Sequence, residues 1–442
     1  MEKNLEKYLI SNVRSLDEWE DIANKSLKDI SIEDLYKDYD KDIQKKILYT
    51  ENDYRKISNF SYSRGIKKDH DENLPWHICS IIDPTNDTQL YNSRILNELE
   101  RGASSIEISY IPQENADIIF NGVDLSIAPI FLRNTEEPLK NASAFLNLLV
   151  DWEKKNKKEA IGGLEIDPIA IQAKKGREFK EQDLYQDYVE FIKINKEKSL
   201  NLITYDGIIW NELGATLIEE ISLIVSSFLD SIKKNLIDNQ TSLNFTVSLD
   251  TDFFLNIAKI RATRLVLKNI INHFNIKPKI SISAKTSKEM IYKESPWVNQ
   301  LRITNASLAA AIANVDRLTC YHITNPIGQA PEFVRRLTRN THIILQEESN
   351  IGKIQDPSGG SYYIENITAT LSEKSLLLIK EIEKNEGIFQ FIKDTDLLNK
   401  INQNKEKNKI NLENETLKRI GVNLFPDKEK REINVKPYEN LE

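Results

Sequence analysis

The stretch LNLITYDGIIWNELGATLIEEISLIVSSFLDSIKKNLIDNQTSLNFTVSLD, residues 200–250, decides the fold. It opens with a β-branched run over 200–206 and continues into a segment, 216–235, whose apolar residues recur every three or four positions. A second β-branched run follows over 243–250. A strand, an amphipathic helix and another strand in this order predict two parallel strands joined by a crossover helix.

The same alternation extends outward from this unit on both sides. Eight strands are predicted, at 77–82, 104–111, 123–130, 162–171, 200–206, 243–250, 279–285 and 317–323. Helical periodicity predicts helices at 142–156, 184–198, 216–235, 253–274 and 305–314. Eight strand–helix repeats favour an α/β fold of the (β/α)8 TIM barrel class, and a doubly wound open sheet is the alternative that the pattern allows.

Extensions flank the predicted barrel domain, which spans 76–390. Residues 1–75 are interpreted as an N-terminal helical arm, and 391–442 as a charged C-terminal helix or linker. Helices over 331–349 and 372–384 enclose a turn at DPSGGS, 356–361. The arm carries an apolar stripe, which would pack against either a partner subunit or the chain's own barrel. The stripe consists of Leu16, Trp19, Ile22 and Leu27.

Composition excludes several classes of function. The chain has 442 residues, and its 60 basic and 68 acidic side chains give a net charge of −8 with no basic stripe, so neither nucleic acid nor an anionic membrane is expected as a partner. No apolar run reaches the roughly 20 residues of a membrane span, and the acidic amino terminus fits no targeting peptide. A cytoplasmic protein is expected. Cys79 and Cys320 lie in apolar runs and are expected to be buried thiols, and no spacing of residues indicates a metal site.

A dense motif lies after the last predicted strand, in RNTHIILQEESNIGKIQDPSGGSYYIENITATL, residues 339–371. It resembles the signature of the methylmalonyl-CoA mutase family, in which a helix rich in Arg-Asn-Thr and Gln-Glu-Glu-Ser precedes an Asp-Pro-x-Gly-Gly-Ser turn. The two glycines of that turn also permit backbone angles closed to other residues. The matching positions are Arg339, Asn340, Gln346, Glu347, Asp356, Gly359 and Gly360.

Other segments match the same family in the same order. They are SYSRG (61–65), WHICSII (76–82), NELGAT (211–216), DFFLNIAKIRATRLV (252–266, with Arg261) and RIGVNLFPD (419–427). The resemblance covers about residues 50–430 and is nearest to the small subunits of the family. It implies a TIM barrel on stronger grounds than periodicity does.

The resemblance implies that the enzyme interconverts methylmalonyl-CoA and succinyl-CoA by a radical rearrangement, for which adenosylcobalamin supplies the radical. The reaction would take place at the carboxyl ends of the strands. Catalytic members carry Gly-Tyr-His-Met-Gln-Glu-Ala-Gly-Ala-Thr after the fifth strand, and this chain has GIIWNELGAT. Ile208 and Ile209 replace the Tyr and the His, and an isoleucine cannot donate a hydrogen bond to a thioester carbonyl. The matching positions here are Gly207, Glu212, Gly214 and Thr216.

The seventh predicted strand departs from the family in the same way. Catalytic members have Thr-His-x-Gln-Thr-Ser at its end, whereas this chain has SISAKTS, 281–287. Ser283 occupies the His position and Lys285 the Gln position. No catalytic residue is therefore expected, and the chain alone is expected to be inactive.

The resemblance also places the cofactor elsewhere. A histidine in an Asp-x-His-x-x-Gly loop binds the cobalt in this family, and no histidine of this chain has that context, neither His70, His77, His273, His322 nor His342. The chain ends soon after the linker. We therefore expect no cobalamin domain and no bound cofactor, adenosylcobalamin being held by a large catalytic subunit as the partner in a heterodimer. His322 is interpreted as a structural residue, and acyl-CoA is kept as a candidate ligand.

Two other functions stay open at this point. One is a catalytic acyl-CoA mutase barrel that uses a separate cobalamin-binding chain, and the losses after strands five and seven count against it. The other is a stand-alone CoA-thioester binder or scaffold. Lys259, Arg261 and Arg264 would serve a CoA phosphate in that case, but on a helix with this spacing they are expected to face solvent.

Overall fold

A computed structural model describes residues 15–28, 30–40, 43–54, 64, 74–176, 184–196, 200–427 and 432–441. The chain divides into two compact units, residues 1–55 and 56–442. Within the described part of the first unit lie a helix, α1, and two short antiparallel strands, β1 and β2. Their bounds are Leu16–Leu27, Lys37–Asp40 and Ile43–Lys45.

Helix α1 begins with a capping box. The Ser15 hydroxyl accepts from the backbone N–H of Glu18, and the Glu18 carboxylate accepts from the backbone N–H of Ser15. None of the residues of α1, all of which are described, is buried, and Ile22 is 43% exposed. A helix is thus confirmed over this span, and its apolar stripe is only partly covered. The helical interpretation of residues 1–75 is wrong at Lys37–Asp40 and Ile43–Lys45, which form the antiparallel strands β1 and β2.

The second unit contains the barrel. Its parallel strands are β3 His77–Ile81, β4 Ser105–Ile108, β5 Ile130–Leu132, β6 Gly162–Leu164, β7 Ile203–Asp206, β8 Ser242–Leu249, β9 Lys279–Thr286 and β10 Arg317–Thr319. They are ordered β6-β5-β4-β3-β10-β9-β8-β7. Asn201 closes the ring, because its N–H donates to the carbonyl of Gly162 at 3.0 Å and its carbonyl accepts from Leu164 at 2.8 Å. This closure confirms the barrel and excludes the open sheet.

Two glycines allow that closure. A Cβ atom on Gly163 would lie 2.0 Å from the carbonyl oxygen of Asn201, and one on Gly162 would lie 2.0 Å from that of Ile130. Gly162 also has a φ of +134°. Only glycine therefore fits where β5, β6 and the residues before β7 approach each other.

Helices surround the barrel. The α-helices are α2 Thr88–Glu100, α3 Pro138–Asn156, α4 Pro168–Lys175, α5 Leu184–Asn195, α6 Gly207–Leu213, α7 Leu217–Lys233, α8 Phe253–Phe274, α9 Pro296–Ile312, α10 Glu332–Ile343, α11 Tyr362–Lys384, α12 Ile388–Asp394 and α13 Leu397–Glu413. Short 3-10 helices of this unit occupy Ala116–Phe120 and Lys288–Met290, and a π-helix at Ile344–Glu348 continues α10. The first unit has its own 3-10 helices at Glu33–Leu35 and Glu51–Asp53. In the described ranges, no helix combines the length and apolarity needed to cross a membrane.

Several predicted strands overrun their observed bounds, and two of them, the third and the fourth, are wrong by the most. The third was expected at 123–130 but is β5, because Asp124 accepts from the backbone N–H and the hydroxyl of Ser126 and folds that segment into a turn. The fourth was expected to reach residue 171, but Asp167 caps α4 by accepting from Ile169 and Ala170, and Pro168 opens the helix. In both segments the hydrogen bonds of an aspartate, in a turn for Asp124 and in a helix cap for Asp167, replace the strand that the β-branched composition predicts.

Three helices begin earlier than periodicity predicts. Pro138 starts α3, which was expected from 142. Pro296 starts α9, which was expected from 305, and Ser361 caps α11, which was expected from 372. The charged stretch after residue 396 is helical, as α13. The two thiols are buried as predicted, and burial raises the pKa of Cys79 to about 11 and that of Cys320 to about 12.

Candidate functional site: the barrel interior

Strand alternation determines which side chains line the barrel. On β8, Phe245 packs outward against Phe228 of α7 at a ring-centroid distance of 5.5 Å. Asn244 and Thr246, which alternate with Phe245, therefore face the interior. The same argument applied to the neighbouring strands places Glu107, Ser283, Lys285 and Arg317 inside. This interior is polar.

Glu165, the first residue after β6, is the hub of the interior. Its carboxylate accepts hydrogen bonds from the Asn244 amide at 3.2 Å and from the Thr246 hydroxyl at 2.9 Å. It also accepts from the guanidinium of Arg317, with which it forms an ion pair. Strands β6 and β10 lie four places apart in a ring of eight, so the contact between Arg317 and Glu165 spans the diameter of the barrel. The Arg317 guanidinium also stacks on the ring of Phe131, 3.5 Å from its centroid.

Two further ion pairs lie nearer the carboxyl ends of the strands. Lys285 of β9 donates to Glu107 of β4, three strands away, and Arg133 pairs with Asp206 at 2.5 Å. The ring of Tyr321 lies 4.4 Å from the Lys285 ammonium. We call these contacts, with Arg317–Glu165, the interior ion pairs. All their side chains are buried, so the carboxyl end of the interior is filled with paired charges.

Burial shifts the titration of several interior carboxyls. It raises the pKa of Asp167 to about 7, with the neighbouring Asp206 adding to the effect. It also raises the pKa of Asp206 to about 6, although the Arg133 guanidinium opposes it. Burial has the same tendency at Glu107, but the Lys285 ammonium outweighs it and holds the pKa of Glu107 below its ordinary value. Glu107 is therefore ionised at neutral pH.

The described residues leave a cavity at the amino-terminal end of the barrel. This cavity of about 1130 Å³ begins among residues at the starts of the strands, including His77, Gly162 and Lys279. It reaches inward to Asn244 and Arg317. Because Arg317 is paired across the diameter with Glu165, the interior ion pairs form the floor of the cavity.

The predicted degenerate positions are buried and serve packing or the interior network. Ile208 and Ile209, 0% and 1% exposed, lie in α6, which Asp206 caps by accepting from the N–H of Ile208 at 2.9 Å. Ser283 lies in the middle of β9, where its hydroxyl accepts from Asn244 at 2.9 Å. Lys285 forms one of the interior ion pairs.

The matching positions around α6 have structural contacts. A Cβ atom on Gly207 would lie 2.6 Å from the carboxylate of Glu220, and one on Gly214, whose φ is +110°, would lie 2.4 Å from the carbonyl of Ile401. Thr216 caps α7 by accepting from Glu219 at 3.2 Å. Glu212 lies 3.4 Å from Lys174.

The expectation that Lys259, Arg261 and Arg264 face solvent is wrong. All three cations are buried. Lys259 donates to Glu220 at 2.8 Å and to Ser248 at 2.6 Å. Arg264 donates to the carbonyl oxygens of Ala313 and Asn314. Helical spacing could not reveal this burial because the acceptors come from other segments of the chain. These residues do not form a phosphate site.

The family signature builds a junction between helices. Arg261 of α8 donates to Asp356 in the turn and to Glu365 of α11, and the N–H of Gly360 donates to Glu365 at 2.9 Å. Arg64, the described residue of SYSRG, lies 3.7 Å from Asp356. The other residues of SYSRG lie outside the described residues. The turn at 356–361 is confirmed. The carboxylate of Asp356 in this turn is paired with Arg261, and the pair holds the turn in place.

The rest of the signature is also structural. Arg339 donates to Glu98 at 2.5 Å, and the Gln346 amide donates to the carbonyl of Trp76 at 2.8 Å. Gly359 leaves no room for a side chain, since a Cβ atom there would lie 2.7 Å from Asp356. Asn340 is half-buried, and Glu347 is exposed.

The described histidines have no metal-binding arrangement. His322 lies between the Thr338 hydroxyl and the carbonyl of Ile81, at 3.2 Å from each, and burial lowers the pKa of His342 to about 4. His77 lines the cavity, His273 is on the exposed end of α8, and His70 lies outside the described residues. Over the described ranges, no group of His, Cys, Asp and Glu could hold a metal ion.

Sequence reasoning missed Glu107, Arg133, Glu165 and Arg317. Each interrupts or borders an apolar strand, and charged residues are rarely buried unless paired, so their positions were a usable signal of a polar interior. Their pairing could not be predicted, because it depends on which strands face each other across the ring.

Comparison with known proteins gives consistent matches. A family model described as "Methylmalonyl-CoA mutase" matches residues 112–442. The methylmalonyl-CoA mutase small subunit of Propionibacterium freudenreichii subsp. shermanii is 27% identical over 394 residues, covering 85% of this chain and 61% of that protein. The small subunit of Streptomyces virginiae is 28% identical over 312 residues, covering 67% and 50% respectively. The chain thus spans between half and about three fifths of the length of these relatives.

A large subunit is also among the relatives. The methylmalonyl-CoA mutase large subunit of Porphyromonas gingivalis is 26% identical over 322 residues, covering 68% of this chain and 43% of that protein. Among solved structures, Plasmodium falciparum HPPK-DHPS matches with a TM-score of 0.33 and 15% identity over 63% of this chain and 48% of its own. That likeness is too weak to carry an argument.

Proposed function

The chain belongs to the methylmalonyl-CoA mutase family, and on that premise we propose that it is the non-catalytic small subunit of a heterodimeric, adenosylcobalamin-dependent methylmalonyl-CoA mutase. The holoenzyme would interconvert methylmalonyl-CoA and succinyl-CoA in the cytoplasm, with a large subunit as the catalytic partner. The observation that carries the proposal is the set of interior ion pairs. Similarity to small subunits of the family supports it.

The interior ion pairs occupy the space that an acyl-CoA arm would need. Arg317–Glu165 spans the full diameter, and Lys285–Glu107 crosses the interior nearer the carboxyl end. A thioester entering from the amino-terminal cavity would have to separate these buried charges, and breaking such a pair costs about 3–5 kcal/mol. This argues against a catalytic barrel that borrows a separate cobalamin-binding chain.

The polar groups needed for the reaction are also lacking at the predicted positions. Polarising a thioester carbonyl requires a hydrogen-bond donor aimed at the oxygen on which charge develops. Ile208 and Ile209 offer none, and the Ser283 hydroxyl is engaged with Asn244 and Thr246. The Lys285 ammonium is engaged with Glu107.

The described residues do not fit a cobalamin site at the carboxyl mouth. Adenosylcobalamin, when bound, supplies the radical for the rearrangement. The imidazole nearest that mouth belongs to His322, which is buried and contacts Thr338 and Ile81. The proposal therefore assigns the cofactor to the partner subunit.

The role that fits this chain is structural. Subunits of similar sequence assemble with pseudo-twofold symmetry, and permanent interfaces of that kind commonly bury over about 2,000 Å². The contacts of the family signature are internal, which is expected of a scaffold that holds its barrel rigid.

Co-expression with a large mutase subunit tests the proposal. We expect a stable one-to-one complex by size-exclusion chromatography with light scattering, and no isomerisation of methylmalonyl-CoA by the purified chain with adenosylcobalamin. Turnover by this chain together with a detached cobalamin domain would overturn the non-catalytic assignment. A chain that stays monomeric beside the large subunit would overturn the partner assignment instead.

A further inference from the structure

The amino-terminal cavity has a charge balance unlike that of the whole chain. Among the described residues that line it, the acid is Asp316, against the cations Arg264, Lys268, Lys277, Lys279 and Arg317. The whole chain has more acids than bases, 68 against 60. A cluster of cations in an acidic protein favours an anionic ligand.

The charged side chains at the inner end of the cavity already have ion-pair or hydrogen-bond partners within the chain. Arg317 is paired with Glu165, Arg264 donates to the carbonyl oxygens of Ala313 and Asn314, and the Asp316 carboxylate accepts from the N–H of Ile282 at 2.7 Å. The inner end of the cavity therefore offers little net attraction for an anion.

The available positive charge lies at the rim. Lys277 and Lys279 are exposed, and over the described part of the chain no acid pairs with either ammonium. They stand two residues apart at the start of β9, on the edge of the opening. An anionic group at the mouth of the cavity would meet both.

Part of the cavity wall is apolar. Leu267 and Ile271 of α8, with Ile276 and Ile280 of the segment entering β9, form one side, and Phe131 faces the cavity from β5. This side favours an aliphatic chain. Other parts of the lining are polar and include the amides of Asn201, Asn244, Asn272, Asn275 and Asn314.

We propose that the amino-terminal cavity binds a long-chain aliphatic carboxylate, with its carboxylate at Lys277 and Lys279 and its chain against the apolar wall. The volume of about 1130 Å³ exceeds the range of about 300–1,000 Å³ that is usual for small-molecule sites, so a chain of a dozen or more carbons fits. The apolar wall lies on the α8 side of β9, because Ile280 alternates with the inward-facing Ser281 and Ser283, so the bound chain would lie outside the ring that the interior ion pairs cross.

Calorimetric titration of the full chain with dodecanoate tests the site. We expect saturable one-to-one binding, and at least a tenfold weaker affinity for methyl dodecanoate, which has the same chain without the charge. The double variant Lys277→Glu/Lys279→Glu should lose at least tenfold in affinity for dodecanoate. Its matched control is Lys407→Glu/Lys409→Glu, with the same spacing and charge change on exposed positions of α13, which should stay within twofold of the unchanged chain.

A second variant tests the apolar wall separately. Ile276→Trp narrows the cavity at a half-buried position and should weaken dodecanoate binding, while circular dichroism reports whether the fold is kept. Equal affinity for the acid and its ester would overturn the assignment of the rim. Binding of coenzyme A without binding of dodecanoate would overturn the ligand class, and binding unaffected by either cavity variant would overturn the location.

Discussion

Glu165 concentrates the polar contacts of the barrel interior in one carboxylate. It meets Asn244, Thr246 and Arg317, which come from two other strands of the ring. Buried charges are tolerated only when they are paired, so the guanidinium of Arg317 depends on this one residue. Stability of the barrel is therefore sensitive to this one position.

Replacing Glu165 with alanine should lower the free energy of unfolding by about 3–5 kcal/mol, because Arg317 would be left buried and unpaired. Urea denaturation followed by circular dichroism measures the change. The matched control is Glu137→Ala, which removes the exposed pair with Lys140 and should cost at most about 0.5 kcal/mol. Adding Arg317→Met to Glu165→Ala should recover part of the loss, and a single variant within about 1 kcal/mol of the unchanged chain contradicts the hub role.

Asp167 predicts a pH dependence of stability. Its pKa is raised from 3.8 to about 7 on folding, so between these values the folded chain binds more protons than the unfolded one. Stability from this group is therefore lost as pH rises from about 4 to about 7. Asp167→Asn should remove that loss, so the unfolding free energy of the variant minus that of the unchanged chain should increase across this window.

Denaturation at pH 4.5, 5.5, 6.5 and 7.5 measures that difference. The constant cost of changing the cap of α4 cancels, because only the trend with pH is compared. Asp151→Asn on the exposed face of α3 serves as the control for the change from a carboxylate to an amide. A flat or falling difference for Asp167→Asn contradicts the argument.

At the scale of elements, periodicity and composition predicted the number and order of the eight barrel strands but not β1 and β2. They failed for β5 and β6, where Asp124 and Asp167 make hydrogen bonds that turn the backbone within runs of β-branched residues. They also failed to find the start of α9 at Pro296. Local hydrogen bonds of short polar side chains decide such boundaries, and composition averaged over a window hides them.

The closure of the ring depends on Gly163. Gly163→Ala should prevent β6 from meeting the segment before β7, because the new Cβ atom would lie 2.0 Å from the Asn201 carbonyl oxygen. We expect loss of folded protein, or a decrease of more than about 3 kcal/mol in unfolding free energy. Soluble yield and thermal unfolding measure this effect.

Gly176→Ala is the control for that substitution. Gly176 also has a left-handed φ, of +59°, but no atom of the described residues lies within 4 Å of its added Cβ atom, so only about 1 kcal/mol of backbone strain is expected. Equal effects of the two alanines would show that closure tolerates a wider separation.

At the scale of the whole molecule, the family was readable from the sequence but the state of the interior was not. Ile208 and Ile209 indicated that two polar groups are missing, and the structure adds the interior ion pairs, which fill the space beside them. From the sequence, Lys285 was visible only as a substitution at a family position. Its ion pair with Glu107 could not be predicted, because Glu107 lies 178 residues earlier in the chain. Contacts over such separations depend on the closed ring.

Restoring the missing residues should therefore not restore activity. The variant Ile208→Tyr/Ile209→His, assayed with adenosylcobalamin, methylmalonyl-CoA and the cobalamin domain of a large subunit, is expected to show no turnover above the unchanged chain. The interior ion pairs would still cross the barrel. Measurable succinyl-CoA formation would show that the two side chains alone separate this chain from a catalytic one.

The burial of the interior ion pairs also separates two responses to dissolved salt. In 1 M NaCl, charges in contact with water are screened over about 3 Å, but charges without access to solvent keep most of their attraction. Exposed pairs such as Lys140–Glu137 should weaken under these conditions, while Arg317–Glu165 and Lys285–Glu107 would hold the barrel as before. Concentrated salt should therefore leave the barrel folded.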